Sequence, residues 1–123
     1  MHYVVIGSGE AVEIGPDCQI AEFSSIRDAD HGVDVDGLIS EAPMASRPIR
    51  IGANSWIGRG TAVISGAAIG TGVVIGANSV VRTPIGNDSV AVGAPARVVR
   101  QRRIPQQERG RDEGQERNVS PVS

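Results

Sequence analysis

Two histidines occur in the 123 residues, and one of them, His31, closes the run Ile26-Arg27-Asp28-Ala29-Asp30-His31. An imidazole titrates near neutrality, so it is the side chain best suited to taking a proton from a hydroxyl at pH 7. Against this stands a solvent-facing turn histidine with no chemical task. Asp28 and Asp30 are near enough in sequence to orient the ring and fix its tautomer, or they are exposed corner residues. With Asp34, Asp36 and Glu41 they suggest a calcium loop running from Asp30 to Glu41, but Val35 stands where such a loop needs glycine. All 12 basic residues are arginine, which excludes lysine nucleophiles and Schiff bases. The lone Cys18 excludes an intramolecular disulfide and fits a reducing compartment. A net charge of −2 argues against a nucleic-acid grip carried by overall charge.

A base needs a scaffold, and here it is repetitive. From residue 51 the chain reads IGANSW, IGRGTA, VISGAA, IGTGVV, IGANSV, VRTPIG. Ile51, Ile57, Val63, Ile69, Ile75 and Val81 lead these blocks, and Ile14, Ile20 and Ile26 lead earlier ones in the same phase. The fifth places (Ser55, Thr61, Ala67, Val73, Ser79) are small or β-branched. A six-residue unit is one short strand plus a turn. Three such units close a triangle, and successive triangles stack about 4.8 Å apart as parallel strands. First and fifth residues point into a narrow prism, and glycines serve the corners. This accounts for a chain that is 40% hydrophobic yet holds 16 glycines and only three aromatics, Tyr3, Phe23 and Trp56.

The fold expected is therefore all-β, with one coil over 14–31, two over 51–86, and irregular coil or caps over 1–13 and 87–100. Residues 32–50, punctuated by Gly32, Gly37, Pro43 and Pro48, break the period and form an extruded loop. Residues 1–100 make one domain. Residues 101–123, rich in arginine and acids, are expected to be a disordered tail, with Arg102 and Arg103 near enough to the cap to touch an anionic ligand. No segment reaches the roughly 18 apolar residues of a membrane helix. Met1–Gly7 lacks the features of a signal peptide, so a cytoplasmic location is expected.

The rungs, the W-I-G at 56–58, the D-A-D-H at 28–31 and the ending Ser89-Val90-Ala91-Val92-Gly93-Ala94-Pro95-Ala96-Arg97-Val98-Val99-Arg100 resemble the hexapeptide-repeat acyltransferases over about residues 12–100. The likeness is greatest to the branch that acetylates galactosides, maltose and capsular sugars. It implies a single-stranded left-handed parallel β-helix assembled as a homotrimer, with acetyl-CoA as acyl donor. His31 would deprotonate an acceptor hydroxyl for direct attack on the thioester. The pantetheine arm would lie along the groove between subunits near Gly58, Arg59 and Ala77, and the phosphates and adenine near Arg82, Thr83, Arg97 and Arg100; Trp56 would pack beside the thioester or else wedge the loop. A saccharide or small-molecule acceptor is implied, with no metal, nucleic acid or membrane span.

Several departures bear on these implications. Arg59 and Arg82 replace small hydroxylated residues, Gly9 stands where the branch carries an acid, and the sugar enzymes carry more chain before the first rung. The acceptor therefore stays open among sugar, polysaccharide, antibiotic and amino alcohol. The alternatives are an antibiotic O-acetyltransferase and a non-catalytic or truncated repeat scaffold. The γ-class carbonic anhydrases share the architecture but need three histidines for zinc. A solenoid this short also has apolar faces to cover, which favours closed assembly around a threefold axis.

Overall fold

The computed structural model describes residues 5–7 and 11–105, with the backbone alone at 5–7, 31, 44 and 45. Its strands, in chain order, are β1 (Val5–Gly7), β2 (Val12–Ile14), β3 (Gln19–Ile20), β4 (Ser25–Arg27), β5 (Ala29–His31), β6 (Met44–Ser46), β7 (Ile49–Ile51), β8 (Trp56–Ile57), β9 (Ala62–Val63), β10 (Ala68–Ile69), β11 (Val74–Ile75), β12 (Val80–Val81), β13 (Ser89–Gly93) and β14 (Ala96–Gln101). They coil into a three-sided prism. Face I stacks β2, β7 and β10; face II stacks β3, β8, β11 and β13, with β14 added at its end; face III stacks β1, β4, β9 and β12. Within the faces the coil strands pair in parallel.

Register follows the six-residue rule. Ile51 pairs with Ile69, Ile57 with Ile75 and Val63 with Val81, each eighteen residues on. Below them Ile14 pairs with Ile51, Ile20 with Ile57 and Ile26 with Val63, where the interval is one coil plus the insertion. The last coil is shorter: Ile75 pairs with Ala91 and Ile69 bridges to Ile85. Val81-Arg82-Thr83-Pro84 supplies four residues before Ile85 takes the leading place, so the period ends two residues early.

Ile26, Ile51, Ile57, Val63, Ile69, Ile75 and Val81 are all buried, each contributing about 1.5–3 kcal/mol by leaving water. The fifth places are buried too, and their hydroxyls replace lost water with carbonyl partners. Ser55 Oγ donates to Gly70 O at 3.0 Å and accepts the Val73 N–H at 3.1 Å. Ser24 and Thr61 donate to Gly58 O and Gly76 O. These bonds stitch one coil to the next.

Four features differ from the sequence expectation. The segment before residue 14 carries coil strands, β1 on face III and β2 on face I, because stacking requires only backbone pairing and an inward aliphatic such as Val12. Ile14 stays 37% exposed because β2 is the outermost strand of its face. The coil resumes at Ile49, not at residue 51, and the insertion carries its own antiparallel β5–β6 pair. Residues 89–101 form the β13–β14 hairpin, whose turn holds the cis Ala94–Pro95 bond. Arg102 then reaches back to Gly72 O at 3.0 Å; residues 106–123 of the expected tail lie outside the described residues.

Candidate active site

The chain leaves the prism at the edge between faces III and I, directly after β4. Asp28 stands at this point with 0% exposure. Its Oδ2 accepts the Ala11 N–H at 2.6 Å, and its carbonyl accepts the Arg47 N–H at 2.9 Å. Of the two roles open to Asp28 from sequence, an exposed corner is excluded; Asp30 is exposed. From here β5 and β6 run out as a two-stranded arm with Ala29 opposite Ser46, Asp30 opposite Ala45 and His31 opposite Met44. The His31 backbone is thus placed at the third pair of the arm, and its imidazole lies outside the described residues.

A second group of candidate residues gathers on face II and along its edge with face III. Trp56 lies between Gln19 and Val74 in register and is 54% exposed. It borders a groove of about 320 Å³ lined also by Asp17, Gln19, Asn54, Ser55, Val74 and Arg102. Two residues on, Gly58 packs against the next coil so closely that a Cβ there would stand 2.6 Å from Ile75 O and 2.7 Å from Ala77 N. Gly58 is buried by this contact, while Ala77 on the next coil is exposed. Arg59 is exposed, its guanidinium carbon 5.4 Å from the centre of the Phe23 ring. On β14, Arg97 faces Val92 and Arg100 faces Val90 in register, and Arg100 donates to Gln101 O.

Arg82 and Thr83 fall elsewhere. They are exposed just after β12, at the III–I edge from which the His31 arm departs. In a three-sided prism that edge lies opposite face II. One chain therefore brings together Trp56, Gly58, Arg59 and Ala77, and leaves the base of the arm, Arg82 and Thr83 on the other side.

Sequence reasoning passed over Asp17, Gln19 and Asn54 around Trp56, and the pairing of Phe23 with Arg59. Asp17 and Asn54 hold left-handed corners at φ 63° and 57°, a conformation that Asn and Asp tolerate. That turn chemistry was the available signal. A larger groove of about 600 Å³ lies on face I, bordered by the Glu13–Arg50 pair, Thr71 and Asn87, and lined by none of the candidate residues. Among the described residues no three His, Cys, Asp or Glu side chains converge as metal ligands. No helix among them is long and apolar enough to cross a membrane.

Comparison with known proteins agrees with the repeat. Residues 48–83 match the family model for the bacterial transferase hexapeptide (six repeats). The chain is 41% identical over 101 residues to the probable acetyltransferase Rv3034c of Mycobacterium tuberculosis, covering 81% of this chain and 34% of that protein. It is 38% identical over 106 residues to WbbJ of Escherichia coli K12, named for lipopolysaccharide biosynthesis O-acetyl transfer, covering 80% and 54%. A galactoside acetyltransferase solved in complex with coenzyme A superposes with a TM-score of 0.70 at 34% identity, covering 80% of this chain and 55% of the other. The chain thus spans between about a third and about half the length of these curated relatives. These likenesses also give the hand of the coil, which is left-handed.

Proposed function

We propose, from the premise that this chain carries the transferase hexapeptide repeat on a left-handed parallel β-helix, that it is an acetyl-CoA-dependent O-acetyltransferase. Its acceptor is a hydroxyl of a sugar or polysaccharide precursor, and it works in the cytoplasm. The observation that carries this is the close stacking of Gly58 under the exposed Ala77, beside Trp56, in a chain that superposes on an acetyltransferase holding coenzyme A. A thin pantetheine arm can lie along such an edge at Ala77, where the exposed side chain is a single methyl. Arg59, Arg97 and Arg100 are suited to its phosphates because a guanidinium offers two parallel N–H donors to phosphate oxygens.

In the reaction, the His31 imidazole takes the acceptor's hydroxyl proton as the oxygen attacks the thioester carbon. The new C–O bond forms, the C–S bond breaks, and the proton passes from the imidazolium to the departing thiolate. Backbone N–H groups stabilise the intervening oxyanion. Because the III–I edge lies opposite face II, the arm of one copy and the Trp56–Gly58 edge of another complete a site between neighbours. A homotrimer is the assembly that repeats this three times. In it, Arg82 and Thr83 come alongside the donor groove from the arm's side.

Calorimetric titration with acetyl-CoA and a thiol-release assay against a panel of hydroxylated acceptors test this. Binding heat and acceptor-dependent thiol release are expected. His31→Ala is expected to bind donor normally and lose turnover, and light scattering to give three times the chain mass. An absence of binding heat overturns the donor assignment. Full turnover in His31→Ala removes that residue from the mechanism, and a stable monomer removes the shared site.

A further inference from the structure

Asp28 is a carboxylate with no exposure, and among the described residues the other buried polar side chains are hydroxyls. Removing a carboxylate from water is costly unless it is bonded, so its partners show what it is for. Along face I the parallel ladder runs by backbone alone at Gly15, whose N–H donates to Ile51 O, and the Ile49 N–H donates to Ala11 O. The same alternation leaves the Ala11 N–H facing the chain just before β7. There the insertion has replaced the ordinary corner, and the donor bonds instead to Asp28 Oδ2 at 2.6 Å. Asp28 also receives the returning chain, through the Arg47 N–H to its own carbonyl. Three points meet on one residue: the strand below, the departure of the arm and its return.

We infer that Asp28 is a positioning residue. Its carboxylate stands in for a strand carbonyl where the insertion interrupts the coil, and it fixes where the β5–β6 arm carrying His31 leaves the prism. A two-stranded hairpin is marginal alone, so the register of His31 opposite Met44 depends on what holds Ala29 and Ser46 at its root. The catalytic consequence rests on the reading of His31 as the base; the clamp itself does not.

Hydrogen exchange and steady-state kinetics on Asp28→Ala and Asp28→Asn separate the two. In Asp28→Ala, exchange at the β5–β6 amides rises by about tenfold, while Ile57 and Ile75 keep their protection. The kcat falls by about tenfold with the KM for acetyl-CoA within about twofold. Asp28→Asn retains an acceptor oxygen and recovers both. If Asp28→Ala does not fold, Asp28→Ser, whose hydroxyl stops short of the Ala11 N–H, gives the same comparison. Unchanged arm exchange overturns the clamp, as does a loss of protection shared by every coil. If arm exchange rises while kcat holds, the positioning role is overturned. Should the wild type transfer no acetyl group, the functional reading fails, and the exchange data still decide the clamp.

Discussion

The guanidinium carbon of Arg59 sits 5.4 Å from the centre of the Phe23 ring, and Phe23 is itself in the left-handed region at φ 64°. At the same edge Gly60 and Asn78 hold the equivalent conformation at φ 68° and 60°. A bulky side chain there costs about 1–2 kcal/mol, and an exposed cation–π contact returns about 0.5–1 kcal/mol. Phe23 is also 58% exposed, so little burial offsets the difference. Phe23→Asn is therefore expected to melt at or above the wild-type temperature. A clear fall on thermal denaturation would show that the ring is packed more strongly than its exposure implies.

Gly58 and Gly86 should respond oppositely to alanine. At Gly58 the new methyl meets backbone atoms of Ile75–Ala77 at 2.6–2.9 Å, which can yield only by separating two coils. Overpacking of this kind costs about 1–3 kcal/mol, and donor affinity should fall with it. At Gly86 the nearest atom is Ser89 Oγ at 3.9 Å, so Gly86→Ala is expected to be neutral or to stabilise by about 0.4–1 kcal/mol. Urea midpoints for the pair check this, and equal losses would contradict it.

Ser55→Ala leaves the buried Val73 N–H and Gly70 carbonyl without their hydroxyl partner. The expected loss is about 1–3 kcal/mol, measured as a lower urea midpoint at unchanged slope. A variant as stable as wild type would mean that the coils repair the ladder without the side chain.

Trp56 is the only tryptophan, so the intrinsic fluorescence of the protein reports on face II alone. Saturating acetyl-CoA should shift or quench its emission. Trp56→Ala should raise the KM for the donor by about tenfold, as loss of one aromatic contact near 1.4 kcal/mol would. Emission that stays constant while calorimetry records binding would take Trp56 out of the donor site.

Much of the prism is legible in the sequence. Ile51 to Val81 lead their rungs and are buried, since a strand's inward and outward positions are set locally by the pleat. The end strands were harder to see. Val5–Gly7 lies outside the six-residue phase and Val12 precedes its first rung at Ile14, and these strands join the coil because a neighbouring strand offers them backbone partners. Of the site, Gly58 was readable as a corner glycine and Ala77 came only from the family resemblance; the structure stacks the two. The surroundings of Trp56 were not, because Asp17, Gln19 and Asn54 reach it only through the stacking of two coils.

The sequence by itself determined the period, the three-sided cross-section and the inventory of groups able to do chemistry, all consequences of side-chain alternation within single rungs. Tertiary structure decided which groups meet. Asp28 finds Ala11 across 17 residues, and Phe23 finds Arg59 one coil and one insertion further on. The base of the His31 arm and Trp56 end on opposite sides of the prism. Each of these depends on how many residues the insertion absorbs before the ladder resumes at Ile49. That number sets the register of every later coil, and register is a property of paired backbones, not of any one segment.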